Sequence, residues 1–217
     1  VVTPARLAYF DCASGAAGDM LLGALVDLGL PVEALQAELA KLRLGGWLLE
    51  ARKVHGAGLH ATKVDVITDV HVHGHTDARA AGASGHGHGR RLGDILELIG
   101  NSALEGAVKE RSSALFRRLA EAEAGVHGTS ADEVHFHEVG AVDAIVDIVG
   151  GVIGLCWLRA SRIVASPLNV GTGTVKMDHG VFPVPPPATA RLVQGVPVYG
   201  SGEGELLTPT GAGQRQR

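Results

Sequence analysis

One run, AIVDIVGGVIGLCWL from Ala144 to Leu158, limits the possible folds more than any other part of this chain. It is shorter than the ~20 apolar residues a membrane span needs, and Asp147 interrupts it, so a helix buried inside the protein is expected. No membrane partner follows from it. The motif leading into it, HFHEVGAVDAIVDIVG (His135–Gly150), adds two histidines, a glutamate and a second aspartate. With helix from Val139 onward, Asp143 and Asp147 share one face at i, i+4, while His135, His137 and Glu138 crowd the helix entrance. Carboxylates among valine, isoleucine, glycine and alanine are costly to bury unless paired, hydrogen-bonded or bound to a cation. Two neutralisers stay open: a bound metal, or Lys109, Arg117 or Arg118 from the preceding helix, with the histidines merely capping.

A chain of 217 residues, against a prior of ~150 per domain, has room for one substantial domain built around that helix. Its 31 glycines are about twice the usual ~7 %, and only 4 % of residues are aromatic, so the core is built from valine, leucine and alanine between many turns. That profile suits α/β better than a sandwich. The net charge of −4, with no cluster of lysine and arginine, gives no reason to expect a nucleic-acid partner. Protonating all 11 histidines would swing the charge to +7, which makes their chemistry sensitive to pH near ~6.5. Cys12 and Cys156 form no C-x-x-C pattern, and no basic-then-apolar leader is read at the start, so the expected setting is a reducing cytoplasm.

Along the chain, RLAYFDC is expected to be a buried strand, ASGAAGDM a glycine-rich turn and LLGALVDLGL a helix ending at Gly29. A second helix opens at Pro31, and WLLEARKVHGAGLHATKVDVIT is a hairpin joined at Gly56–Gly58. Residues 70–91 hold glycine, alanine and histidine with almost nothing to bury, which predicts a flexible loop inserted in the domain. Helix follows from Leu92 to about Ala124 with a break near Gly100–Ser102. Beyond the central motif come a strand-like segment, a proline run feeding a helix, and a last strand and loop. The fold class expected is therefore α/β, a β-sheet flanked by helices with the histidine-rich loop inserted. Residues 1–69 and 92–210 form one domain, and 211–217 a tail.

Chemistry concentrates at three places. Asp11 falls at the carboxyl end of the first strand and Asp19 at the start of the next helix, with Ser14, Gly15 and Gly18 between them. Ligands bind at such strand ends, and glycines let backbone N–H groups approach an anion at a helix N-terminus. A phosphate or metal-phosphate turn is one reading; a capping Asp19 with a tight turn is the other. His71, His73, His75, His86 and His88 in the loop can gather around nickel, zinc or copper, or do nothing specific. His179, before the proline segment, has no role by itself.

Four segments, YFDCASGAAGDMLLGALVDLG, VHFHEVGAVDAIVDIVG, ASPLNVGTGTVKMDHGVFPVPPPATA and GEGELLTPTGA, together resemble the LarC family of nickel-pincer cofactor biosynthesis proteins. They come in that family's order and span nearly the whole chain. The resemblance implies a nickel insertase that places Ni(II) into pyridinium-3,5-bisthiocarboxylic acid mononucleotide. It further implies dependence on CTP with Mg(II) or Mn(II), a homo-oligomer, and an apo lactate racemase-type enzyme as recipient. Combining resemblance and residues gives His135, His137 and Glu138 as metal-handling groups, with His71, His73 and His75 as a delivery arm. Asp11, Glu138, Asp143 and Asp147 become the catalytic acids, and Ser14, Gly15, Gly18 and Asp19 the nucleotide-phosphate turn. The family usually continues into a second domain associated with CTP, so a first-half chain completed by a C-terminal half or other subunits is expected. Ala17 and Met177 stand where serine and cysteine are common in that family. The rival readings are a nickel storage or delivery protein without catalysis, and a metal-dependent nucleotide phosphohydrolase.

Overall fold

The computed structural model describes residues 6–56, 58–68, 90–136, 139–177 and 180–214. The loop histidines 71, 73, 75, 86 and 88, together with His137, Glu138 and His179, lie outside these residues. The chain opens with β1 (Leu7–Phe10), α1 (Gly18–Asp27), α2 (Val32–Ala40), β2 (Trp47–Gly56) and β3 (Leu59–Thr68). It continues through β4 (Arg90–Arg91), α3 (Leu92–Gly100), α4 (Gly106–His127), β5 (His135–Phe136) and α5 (Val142–Leu158). Then come β6 (Arg162–Ala165), β7 (Leu168–Asn169), β8 (Gly171–Thr172), β9 (Thr174–Met177) and β10 (Gly180–Pro183). The last elements are α6 (Pro187–Leu192), β11 (Val198–Tyr199), β12 (Gly204–Glu205) and α7 (Pro209–Gly213).

The apolar run is the buried helix it was expected to be. Ile145, Val146, Ile148 and Val149 of α5 are fully buried, and α1, α2, α4, α7 and β3 pack around them. Two glycines allow this close approach: a Cβ on Gly154 would strike the Leu25 side chain, and one on Gly151 would strike that of Gln214. Each interior glycine costs a helix up to ~1 kcal/mol relative to alanine. Full burial of Leu25 returns about 1.5–3 kcal/mol, so the close packing wins. The helix begins later than its apolar pattern suggests, at Val142 after Ala141, because residues 139–140 form a turn.

β2 and β3 pair antiparallel from Trp47↔Thr68 to Gly56↔Leu59, the hairpin expected around Gly56–Gly58. The helical break near Gly100–Ser102 separates α3 from α4 as expected. The single helix-flanked sheet is not found. The described strands form six two-stranded sheets, so the architecture is mixed α/β with small sheets and helices. Strands β7 and β8 are each two residues long, and Gly171, Gly173, Gly180 and Gly204 all take positive φ. Turns at that spacing keep the strands from β7 to β10 short, at 2 to 4 residues each. Among the described residues no helix is long and apolar enough to cross a membrane.

Candidate functional site

β1 and β6 run parallel, and the chain leaves their carboxyl ends through residues 11–17 into α1. Two distant segments, residues 166–169 and 206–208, fix this turn. Asn169 donates from Nδ2 to the Ala13 carbonyl at 2.8 Å, while its Oδ1 accepts the N–H groups of Gly171 (3.1 Å) and Ser201 (3.0 Å). The Cys12 N–H donates to Ser166 Oγ at 2.8 Å. The Ala16 N–H donates to Leu206 O (2.9 Å), and Thr208 N–H returns a bond to Ala16 O (3.1 Å). Gly15 is required here: its φ is +85°, and a Cβ would collide with the Leu206 carbonyl. Asp11 is exposed, with Oδ1 accepting the Ala13 N–H at 3.0 Å, and Ser14 is exposed beside it. Asp19 is not a cap; Ala17 holds the N-cap position of α1 and makes no side-chain cap bond.

The central motif meets this turn at Gly18. An ideal Cβ on Gly18 would lie 2.7 Å from Asp147 Oδ2, so the missing side chain is what lets the α1 N-terminus and the α5 carboxylate touch. Asp147 Oδ1 is buried and has no hydrogen-bond partner among the described residues. Burial, then the charges of Asp19 and Asp143, push the Asp147 carboxyl up from its ordinary 3.8 to about 7. A cationic partner would act in the opposite direction, and the described residues supply none. Lys109 donates to Gly100 O, Arg118 to Leu192 O, and Arg117 is exposed. Pairing with the preceding helix is therefore not how this acid is accommodated.

His135 stands apart from α5. It lies in β5, paired antiparallel with β4, so that Arg91 faces it and donates from Nε to His135 Nε2 at 3.2 Å. The pairing joins the residues that follow the histidine-rich segment to those that precede His137 and Glu138. Among the described residues, no three His, Cys, Asp or Glu side chains are grouped to hold a metal ion.

Beside the turn, between α1 and the β1–β6 pair, is a cleft of about 410 Å³. Leu21, Leu155, Ile163 and Leu168 contribute apolar walls, and Asp11, Cys12 and Gln214 are among its polar lining. Burial raises the Cys12 thiol above its usual range; the Ser166 hydroxyl opposes this and the Asp11 charge adds to it. Cys12 is thus a neutral thiol near pH 7.

The family model described as "Nickel insertion protein" matches residues 8–214. The chain belongs to the nickel insertion protein family. It is 51 % identical over 209 residues to the pyridinium-3,5-bisthiocarboxylic acid mononucleotide nickel insertion protein of Desulfitobacterium hafniense (strain DSM 10664 / DCB-2), covering 95 % of this chain and 48 % of that relative. The protein of the same name from Geobacillus kaustophilus (strain HTA426) is 46 % identical over 209 residues, covering 96 % and 50 %. The chain spans about half the length of these curated relatives. No solved structure matches it.

In this nickel insertion family member, the site has parts that sequence spacing did not single out. Asn169, Ser166, Leu206 and Gln214 act on the turn or its cleft from 150 or more residues away in sequence, three of them through backbone groups or single side-chain bonds. An asparagine two residues before a glycine, as in Asn169–Gly171, was the one available signal, since such a side chain commonly bonds the backbone two residues on.

Proposed function

We propose that this chain handles the metal and the substrate in nickel insertion into pyridinium-3,5-bisthiocarboxylic acid mononucleotide, the reaction for which its relatives are named. The observation that carries this is convergence. Asp147, Ser166, Asn169, Leu206 and Thr208 all meet at the turn between Asp11 and Gly18, although up to about 190 residues separate them from it. A turn held from three sides, next to a carboxyl group titrating near neutrality, suits a reaction that exchanges a proton for a metal.

Nickel is the cargo. Imidazoles suit this borderline cation, so we assign its reception to His135 with His137 and Glu138, fed by His71, His73 and His75. Binding to the ring carbon between the thiocarboxylates releases a proton, and Asp147, about half ionised at pH 7, is the group suited to accept it, with Asp143 and Asp19 tuning it. Asp11, Ser14, Gly15 and Gly18 form the turn toward the mononucleotide. We assign Mg(II) or Mn(II), with CTP, to the half of the relatives' length outside this chain. The product would load an apo lactate racemase-type enzyme in the cytoplasm, and the working form would be an oligomer.

The test is activation of apo lactate racemase by this chain together with the remaining half of a relative, given nickel, CTP, magnesium and the pyridinium mononucleotide. Activation that needs all components and fails with His135→Ala is expected. Nickel binding with no activation would instead indicate storage, and phosphate release without nickel a phosphohydrolase.

A further inference from the structure

The β2–β3 hairpin carries two histidines that no step above uses. Alternation puts Leu49, Lys53 and His55 of β2 on one face together with Val64, Thr62 and His60 of β3. That face runs from the core outward. Leu49 and Val64 are buried, Lys53 Nζ and Thr62 Oγ1 both donate to Asp27 Oδ1 at the end of α1, and His55 and His60 beyond them are exposed. The two histidines are direct register partners, so the hairpin itself holds their side chains together. Their ring centroids are 4.7 Å apart with planes tilted by 53°.

That separation is informative. At a metal–N bond of ~2.1 Å, two imidazoles on one ion hold their centroids about 4.6 Å apart at a right angle and about 5.3 Å apart at the tetrahedral angle. The observed spacing lies next to the right angle, which neighbouring ligands make around nickel(II) and copper(II). The terminal torsion of histidine is broad, so aiming both rings at one ion needs only a small adjustment. Among the described residues no hydrogen bond or ion pair occupies either ring, whereas Arg91 holds His135. Charge permits a cation here as well. Lys53, the next residue of β2 on this face, is paired with Asp27 at 2.7 Å, and Arg52 and Lys63 on the other face are paired with Asp65.

We propose that His55 and His60 clamp one Ni(II) or Cu(II) ion at the tip of the hairpin. Gly18 begins α1 and Asp27 ends it, about 15 Å along the axis, so this site lies at the far end of the helix from the Asp11–Gly18 turn. Two protein ligands leave most of the ion's coordination sphere to water. Such an ion exchanges readily, which suits first capture from solution and not the insertion step. The proposal does not rest on the nickel-insertion reading.

The chain has 11 histidines, so the test must read this pair alone. Ring ¹H–¹³C spectra of the histidine-labelled chain do so, with the two signals assigned by their loss in His55→Gln and His60→Gln. Submillimolar nickel should broaden both signals together. In each single variant the remaining histidine should need at least tenfold more nickel for the same broadening, because a shared ion has lost one of its two ligands. His60→Ala combined with Ala61→His keeps 11 histidines but moves the second imidazole to the opposite face, and it should weaken the His55 response equally. Signals unmoved by submillimolar nickel would overturn the proposal. So would a His55 response that is unchanged by either alteration at position 60, since two independent histidines would behave that way.

Discussion

Gly18 and Asp147 touch where two helices meet: a methyl group added at Gly18 would stand 2.7 Å from the Asp147 carboxylate. Gly18→Ala should therefore force α1 or the Asp147 side chain aside and destabilise the protein by about 1–3 kcal/mol, as overpacking does. The double variant with Asp147→Ala should lose less than the sum of the single changes. Denaturant melts of the four proteins measure that coupling.

Asp147 makes stability depend on pH in a defined direction. Its carboxyl is raised from 3.8 to about 7 in the folded protein, so folding favours the protonated form. Below about pH 4 both states are protonated and nothing is lost; as pH rises from 4 through 7 the folded state bears a growing penalty, reaching on the order of 4 kcal/mol. Asp147→Asn should raise Tm markedly at pH 8, change it little at pH 4, and flatten the profile between. A large fall in stability at pH 8 would instead mean that a cation partner had been stranded.

Asn169 is the strongest structural demand on the turn. Asn169→Ala leaves the Ala13 carbonyl and the Gly171 and Ser201 N–H groups without their partner. Gly171 is buried whereas Ala13 and Ser201 are exposed to water, so a loss of about 1–3 kcal/mol, that of one buried group, is expected. Asn169→Asp should recover part of this, since it still accepts both N–H groups. Thermal melts of the two variants decide it.

Arg91 competes with metal for one nitrogen of His135. Nickel taking His135 Nε2 must displace the Arg91 donor, so Arg91→Ala should tighten nickel binding by roughly 1 kcal/mol, about fivefold, in calorimetric titrations. The gain should vanish in a His135→Ala background. Nickel affinity should also fall as pH drops through ~6.5, where imidazoles protonate.

What could be read from the sequence was what local pattern controls. The β2–β3 hairpin follows from glycines between β-rich runs, and the burial of α5 from an apolar run too short to span a membrane. The shared face of Asp143 and Asp147 follows from helical spacing, and the Asp143 charge acts on the Asp147 carboxyl group. The rest depends on contacts between distant segments. Two-residue strands such as β4 and β5 carry no periodicity, so the Arg91–His135 pairing left no trace in the pattern. Lys109 and Arg118 looked like partners for Asp147, but backbone carbonyls at Gly100 and Leu192 take them instead. The grip of Leu206 on Ala16 is a backbone bond, which any residue type can make.

The central claim, that the site around Asp11–Gly18 and Asp147 passes nickel into the mononucleotide, is tested most directly by following isotopically labelled nickel. The chain is loaded with the label and combined with the remaining half of a relative, CTP, magnesium and the pyridinium mononucleotide; the small-molecule fraction is then separated and weighed by mass spectrometry. The account predicts a nickel-containing mononucleotide one proton lighter at the ring carbon, formed by the wild type and reduced at least tenfold by Asp147→Ala under conditions where that variant still folds. Label that stays on the protein, or equal transfer by the Asp147 variant, would contradict it.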